Sequence, residues 1–392
     1  MKEAEINYWI SSMLESFDNV SDLNVTVKRP LQVESSGRLT PVEITPPVEE
    51  LTPFQTEVFA LNLIKGNKRL LNDLIEHGSC DLSHELDTKA RFRVNIFFRQ
   101  GHLTTVLRRL STEVPTISQL NLPDALKKTN IDRTGFILVT GATGTGKSTT
   151  LAALLDMFNN ERPEHIVTLE DPIEFVHQHK MATFNQRELG TDFDDFASGL
   201  RAALRQAPKI ILVGEMRDRV TMEIGLTAAE TGHLVLSTLH TINAGQTINR
   251  ILGMFEHHEQ GQIRNRLADT LRWVVSQRLL PKEGGGRVAA LEIMGTSLRV
   301  RELILNGEQE DKTFYDVIAD ARAAGWQTFD QHILDLYEQG KINEKTAIGY
   351  ATRRTAINRG LDQIKAARGE ETSKIKDLSM EEGEEQGRRR RR

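Results

Sequence analysis

Cysteine is almost missing from this chain: Cys80 is the single one among 392 residues. One thiol excludes an internal disulfide framework and any zinc site built from several cysteines, and it points to a reducing, cytoplasmic setting. Long apolar runs are missing too. No stretch approaches the ~20 residues needed to cross a bilayer, and no secretory leader pattern opens the chain. Nor is there a strong excess of one charge. The formal net charge is −5, from 50 Lys and Arg against 55 Asp and Glu, which gives no reason to expect nucleic acid as the main partner. With 39% hydrophobic and 27% charged residues, the composition is that of an ordinary folded protein. The length suggests two or three domains.

What is there begins with an octapeptide: Gly141, Ala142, Thr143, Gly144, Thr145, Gly146, Lys147 and Ser148, followed by Thr149. It follows the apolar run 136–139 and opens a segment, 149–158, that reads as a helix. A strand, a glycine-rich turn and a helix are the context a Walker A motif requires. Glycines at 141, 144 and 146 let backbone N–H groups turn toward an anion without a side chain in the way. The helix N-terminus adds partial positive charge. In such a loop Lys147 would reach the β- and γ-phosphates and Ser148 would ligate Mg²⁺. The octapeptide predicts binding of a nucleoside triphosphate, with ATP and Mg²⁺ as the expected pair.

The first 112 residues read as a small mixed α/β domain. Residues 23–27 and 38–44 look like short strands around the turn at Ser35, Ser36 and Gly37, and 53–65 reads as a helix. Over 91–97 the pattern alternates, with Phe92, Val94 and Ile96 on one face and Arg91, Arg93 and Asn95 on the other. The next apolar stretch, 102–110, carries Arg108. From Gly135 onward strands and helices alternate, with strands at 136–140, 165–170, 210–213 and 234–238. That order predicts a parallel, doubly wound sheet of RecA-like type, in which ligands bind beyond the carboxyl ends of the strands. The last third reads as helical. Leu267, Leu271, Val274 and Leu279 keep a helix-like spacing, and further helices are expected over 300–306, 312–324 and 329–339. The second domain is expected over 113–365. Residues 366–392, with their acidic run and five terminal arginines, read as a disordered tail.

Hydrolysis also needs a metal-handling carboxylate, a carboxylate that activates water, and positive charge for the transferring group. The apolar strand 210–213 ends in Gly214 and Glu215, a Walker B-like element with Gly in place of the usual Asp. A second acidic cluster (Glu170, Asp171, Pro172, Ile173, Glu174) follows another apolar strand, and Pro172 would stop that strand and fix the turn. His233 and His240 flank the strand 234–239. Seven residues of strand span ~23 Å, so the two imidazoles cannot share one small site unless the strand ends early. From spacing alone, lone histidines are more often structural than catalytic.

These motifs, in this order, resemble the secretion ATPase superfamily. The array comprises 141–148, 168–174, 213–218 and the histidine-bearing 229–241, and with 90–95 and 285–294 it is most similar to the type IV pilus retraction ATPases, the PilT/PilU family. The resemblance covers roughly residues 22–340. It implies a PAS-like N-terminal α/β domain followed by a RecA-like P-loop ATPase domain with C-terminal helices. Lys147 and Ser148 would belong to Walker A, and Glu174 would be the base that activates water. Glu215 would occupy the atypical Walker B position, holding Mg²⁺ through water. His233 and His240 would form the histidine box. Arg91, Arg93 and Arg108 would be the arginines that reach nucleotide across domain or subunit boundaries. Arginines acting in trans imply a homohexameric ring.

The resemblance further implies a motor at the inner face of the cytoplasmic membrane. It would act on an inner-membrane pilus platform protein, with indirect membrane contact and no nucleic acid. Type IV pilus retraction (twitching motility) by ATP hydrolysis is the function expected. The alternatives are a PilU-like accessory retraction ATPase working with a paralogous motor and a regulatory ATP-binding subunit; the latter would lack Glu174 or Lys147, and both are present. Assembly ATPases of the superfamily carry a four-cysteine zinc insert, which a chain with Cys80 alone cannot form. The helix 299–304 matches the retraction signature in part, whereas 325–331 is more similar to the PilU-like branch.

Overall fold

The computed structural model describes residues 2–86, 90–110, 113–310 and 312–370. Its N-terminal part is a six-stranded antiparallel sheet: β1 (Val20–Val25), β2 (Gln32–Ser35), β3 (Arg38–Pro41), β4 (Ser79–Leu86), β5 (Ala90–Arg99) and β6 (His102–Leu110). The spatial order is β3-β2-β1-β6-β5-β4. The alternation over 91–97 is realised in β5, where Phe92, Val94 and Ile96 are buried and Arg93 is exposed. Helices Glu3–Glu15, Pro53–Ile64 and Lys68–His77 share the core of this sheet through Trp9, Ile10, Phe59, Leu63 and Leu74. Thr52 and Gln55 close a reciprocal capping box at the second helix, with Pro53 in its first turn, a device that satisfies N–H groups the helix leaves orphaned.

A seven-stranded sheet follows: β7 (Gly135–Thr140), β8 (His165–Glu170), β9 (Thr183–Glu188), β10 (Ile210–Val213), β11 (Leu234–Leu239), β12 (Leu271–Pro281) and β13 (Arg287–Met294). Its order is β13-β12-β7-β11-β10-β8-β9. β12, β7, β11, β10, β8 and β9 pair in parallel. β7, β10 and β11 are buried at every position, as expected of strands covered on both faces. Because they are parallel, their carboxyl ends lie along one edge, and the loops after β7, β8, β10 and β11 converge there.

One expectation fails in the last third. Leu271, Val274 and Leu279 lie on β12, not on a helix; the helix is Gln260–Thr270 and stops before Leu271. The register of β12 on β7 shifts between Leu271 and Trp273, and Val274, Val275, Ser276 and Gln277 are all buried. A bulge in a strand buried on both faces removes the period-two signal and leaves a spacing that imitates a helix.

The contacts divide the chain into two compact units. The smaller comprises Leu280–Ala290 and the segment from Phe329 on. It has its own core of Leu280, Val288, Phe329, Ile333, Ile357 and Leu361. Its helices are Phe329–Glu338, Glu344–Gly349 and Arg354–Ala367. Of the expected tail over 366–392, residues 366 and 367 instead close the helix Arg354–Ala367, and the part from 371 onward lies outside the described residues. Among the described residues, no helix is long and apolar enough to cross a membrane.

Candidate active site

The octapeptide turns between β7 and the helix Lys147–Glu161. Gly141, Gly144 and Gly146 take φ of 150°, 77° and 85°, a region that disfavours side chains. A Cβ on Gly141 would stand 2.5 Å from the Gln277 carbonyl oxygen, and one on Gly146 2.9 Å from the Gln277 amide nitrogen. Around Gly144 the space is open, as an approaching anion requires. The Lys147 ammonium donates to the carbonyls of Gly141 and Ala142, each at 3.0 Å. Burial holds its pKa below the usual lysine value, and the carboxylates of Glu215 and Glu174 oppose that shift. Thr145 closes the turn by donating its hydroxyl to the Ala142 carbonyl at 2.9 Å. Ala142 and Thr143 are exposed, while Ser148 and Thr149 lie half-buried in the first helical turn.

Behind the loop stands Gln277 of β12, 4% exposed. Its amide donates to the Thr145 carbonyl at 2.7 Å and its oxygen accepts from the Thr150 hydroxyl at 2.7 Å. The helix-like spacing of Leu267, Leu271, Val274 and Leu279 hides this residue in the sequence.

β10 delivers Glu215 to the same edge. The Gly214 N–H donates to the Leu169 carbonyl at 2.8 Å, and Thr238 donates its hydroxyl to the Gly214 carbonyl at 2.7 Å. A Cβ at 214 would stand 3.1 Å from the Leu169 oxygen, a tight approach that favours Gly at this position. Glu215 pairs with Arg217 at 2.7 Å, and His240 Nε2 lies 3.6 Å from the same oxygen. Burial, then the Lys147 charge, holds His240 below its usual pKa, and Glu215 opposes. Two cavities meet at Glu215 and Arg217. One of about 470 Å³ is also lined by His240, Gln246 and Arg250, and one of about 530 Å³ by Asp171, Asp195 and Phe196.

After β8 the chain runs through 171–182 with no helix or strand of its own, and Glu174 sits in that loop. Glu170 accepts from the Thr168 hydroxyl at 2.6 Å and the Gln186 amide at 2.9 Å. Burial nonetheless pushes its pKa up to about 7. Gln186 and Glu188, both on β9, were also missed; the polar pair two residues apart was the available signal.

The structure separates the remaining candidates. His233 lies at the amino end of β11, its Nδ1 3.0 Å from the Ala228 carbonyl, across the full strand from His240. The strand runs its whole length from Leu234 to Leu239, so the two histidines do not meet within one chain. Arg91 reaches the acidic loop of its own chain: Nη1 donates to the Ile173 carbonyl at 3.4 Å, and Nη2 lies 3.9 Å from Glu188. Arg93 and Arg108 are register partners on β5 and β6. Arg93 lies 3.9 Å from Asp81 and Arg108 pairs with Asp22 at 2.8 Å.

Among the described residues, no group of three or more His, Cys, Asp or Glu is placed to hold a metal. One hydroxyl, Ser148, and one carboxylate, Glu215, suit a hard cation that keeps most of its waters and takes further oxygens from phosphate.

A phosphate-binding loop, two acidic strand ends and a histidine at one edge of a parallel sheet are the parts of a P-loop nucleoside triphosphatase. The profile of the type II/IV secretion system protein family matches residues 78–285. The type IV pilus retraction ATPase PilT of Pseudomonas aeruginosa is 42% identical over 329 residues, 83% of this chain and 93% of that one. The type IV pilus ATPase PilU of the same organism is 39% identical over 332 residues, 84% and 85% of the two chains. The crystal structure of the pilus retraction motor PilT with bound ADP superposes with a TM-score of 0.80 at 39% identity, covering 92% of this chain and 99% of that one. The chain belongs to the type II/IV secretion system protein family, among its PilT/PilU-type twitching motility ATPases.

Proposed function

We propose that this chain is a Mg²⁺-dependent ATPase motor that works as a homohexameric ring to retract a type IV pilus, acting on an inner-membrane platform protein. The observation that carries it is the convergence of Lys147, Glu174, Glu215 and His240 at one sheet edge, in a chain that matches PilT over most of its length. Lys147 and the loop N–H groups would hold the β- and γ-phosphates. Ser148, and Glu215 through water, would hold Mg²⁺, which when bound neutralises charge developing on the phosphates. Glu174 would take the proton of the attacking water. His240 would orient Glu215, and His233, at the far edge of the sheet, would serve through a neighbouring subunit. Arg93 and Arg108 would reach nucleotide in trans.

The division we propose is a PAS-like domain over 1–112, a RecA-like ATPase domain with its C-terminal helical part over 113–365, and a tail over 366–392. The antiparallel sheet with three helices supports the first and the P-loop sheet the second. A PilU-like accessory role, working with a paralogous ATPase, is supported by the comparable identity to PilU.

A clean deletion with pilus counts and a surface-motility assay tests the proposal. Many immobile pili are expected; bald cells would reverse the direction of the motor. A mutant that twitches until a paralogous ATPase is also removed identifies the accessory role.

A further inference from the structure

Glu174 sits on a loop without strand neighbours, yet a base must be placed to within a fraction of an ångström, because ~1 Å of misplacement costs about 10²-fold in rate. Pro172 restrains one side of the loop. The peptide groups around Glu174 need other partners, and β9 supplies them. Glu188 Oε2 accepts from the Ile173 N–H at 3.2 Å. Two residues back on the strand, the Gln186 amide donates to the Phe175 carbonyl at 2.8 Å and its oxygen accepts from the His177 N–H at 2.8 Å. Residues two apart on a strand face the same way. Two side chains therefore replace a missing strand neighbour, holding 173 on one flank of Glu174 and 175 with 177 on the other.

The N-terminal sheet completes this cradle. Ser83 of β4 donates its hydroxyl to the other Glu188 oxygen at 2.7 Å. Arg91 of β5 donates to the Ile173 carbonyl at 3.4 Å, so Ile173, the residue before Glu174, is held at both its N–H and its carbonyl. Glu188 and Arg91 have side chains only 9% and 14% exposed, and hydrogen bonds to a charged group are the stronger kind. A plain interface ion pair would contribute to stability and leave the nucleotide chemistry alone.

Resting on the assignment of Glu174 as the base, we infer that Gln186 and Glu188 are positioning residues for Glu174, and that the N-terminal sheet takes part through Ser83 and Arg91 of the same chain. Turnover then depends on how the N-terminal sheet is seated against its own chain's acidic loop. Arg91 acts in cis, through the loop, and not as an arginine lent to a neighbour.

A double-mutant cycle on the full-length ATPase tests this. Glu188→Ala and Gln186→Ala should each lower kcat about 10-fold or more while ATP affinity changes less than twofold, and neither should add to the loss in a Glu174→Gln background, since both act through the same group. Ser83→Ala and Arg91→Lys, milder changes that keep the fold, should show the same pattern at smaller size. Losses that multiply with Glu174→Gln, or that appear equally in ATP affinity, overturn the inference. Full activity of both Ser83→Ala and Arg91→Lys overturns the part played by the N-terminal sheet. If Glu174→Gln itself retains near-normal turnover, the assignment of the base falls and this inference with it. A 10²-fold loss there together with multiplying effects of Glu188→Ala sinks this inference alone.

Discussion

Gln277 and Thr145 are joined by a 2.7 Å hydrogen bond from the side-chain amide of a buried strand residue to a carbonyl of the phosphate-binding loop. The same side chain accepts from Thr150 in the following helix, so the loop is braced against β12. Gln277→Ala leaves a half-buried carbonyl and a buried hydroxyl without that partner, a loss of about 1–3 kcal/mol. The brace orders the loop before nucleotide arrives. The KM for ATP should therefore rise about 10-fold, with kcat less affected. Steady-state kinetics check this, and an unchanged KM would refute it. Gln277→Glu, which replaces the donor with negative charge behind an anion site, should be worse than alanine.

Glu174→Gln should lower kcat by about 10²-fold or more and leave ATP binding nearly intact, the scale expected when a positioned base is removed. Lys147→Ala should instead weaken binding itself. Equilibrium binding of a labelled ATP analogue separates the two, and turnover within a factor of a few in Glu174→Gln would exclude it as the base.

His177 gives a pH dependence away from the chemistry. Its ring is buried, stacks on Phe184 at 4.4 Å, and is pushed down to about 4, chiefly by burial. The unfolded chain takes up this proton near the ordinary value of about 6.5, the folded chain only near 4. The stability this site contributes is complete above about pH 6.5 and is lost as pH falls toward 4, by at most about 3 kcal/mol. Thermal unfolding between pH 7 and 4.5 should show a steeper loss in wild type than in His177→Phe. Equal slopes would contradict the assignment.

The ring is tested by mass and by mixing. Light scattering after size exclusion should show a species near six times 44.2 kDa in the presence of nucleotide. Mixing Arg93→Ala chains with Glu174→Gln chains should restore ATPase activity if Arg93 serves a neighbour's site. Mixing Arg91→Ala with Glu174→Gln should not, because with Arg91 acting on its own chain's loop every site in the mixture keeps one of the two lesions. Recovery in the second mixture, or a fully active monomer, would contradict the arrangement.

The sequence by itself determined the nucleotide loop, the acidic strand ends and the separation of His233 from His240. Each is encoded within a few consecutive residues: positive-φ glycines before Lys147, an apolar strand tipped by Glu215, and a strand length that cannot bring two histidines together. The alternation over 91–97 was legible for the same reason, since a sheet with one buried face writes its period into the chain. Only the tertiary structure decided that Leu271, Val274 and Gln277 lie on a strand, because burial on both faces and a bulge erase the period. It also decided that Arg91 meets the loop of Glu174 in its own chain, that Glu188 and Gln186 hold that loop, and that Gln277 braces the phosphate-binding turn. Those contacts join residues 82, 15, 11 and 132 positions apart. A hydrogen bond from a side chain to a distant peptide group depends on where the fold brings the two together; a local pattern such as the polar pair Gln186 and Glu188 marks the residues and not their partners.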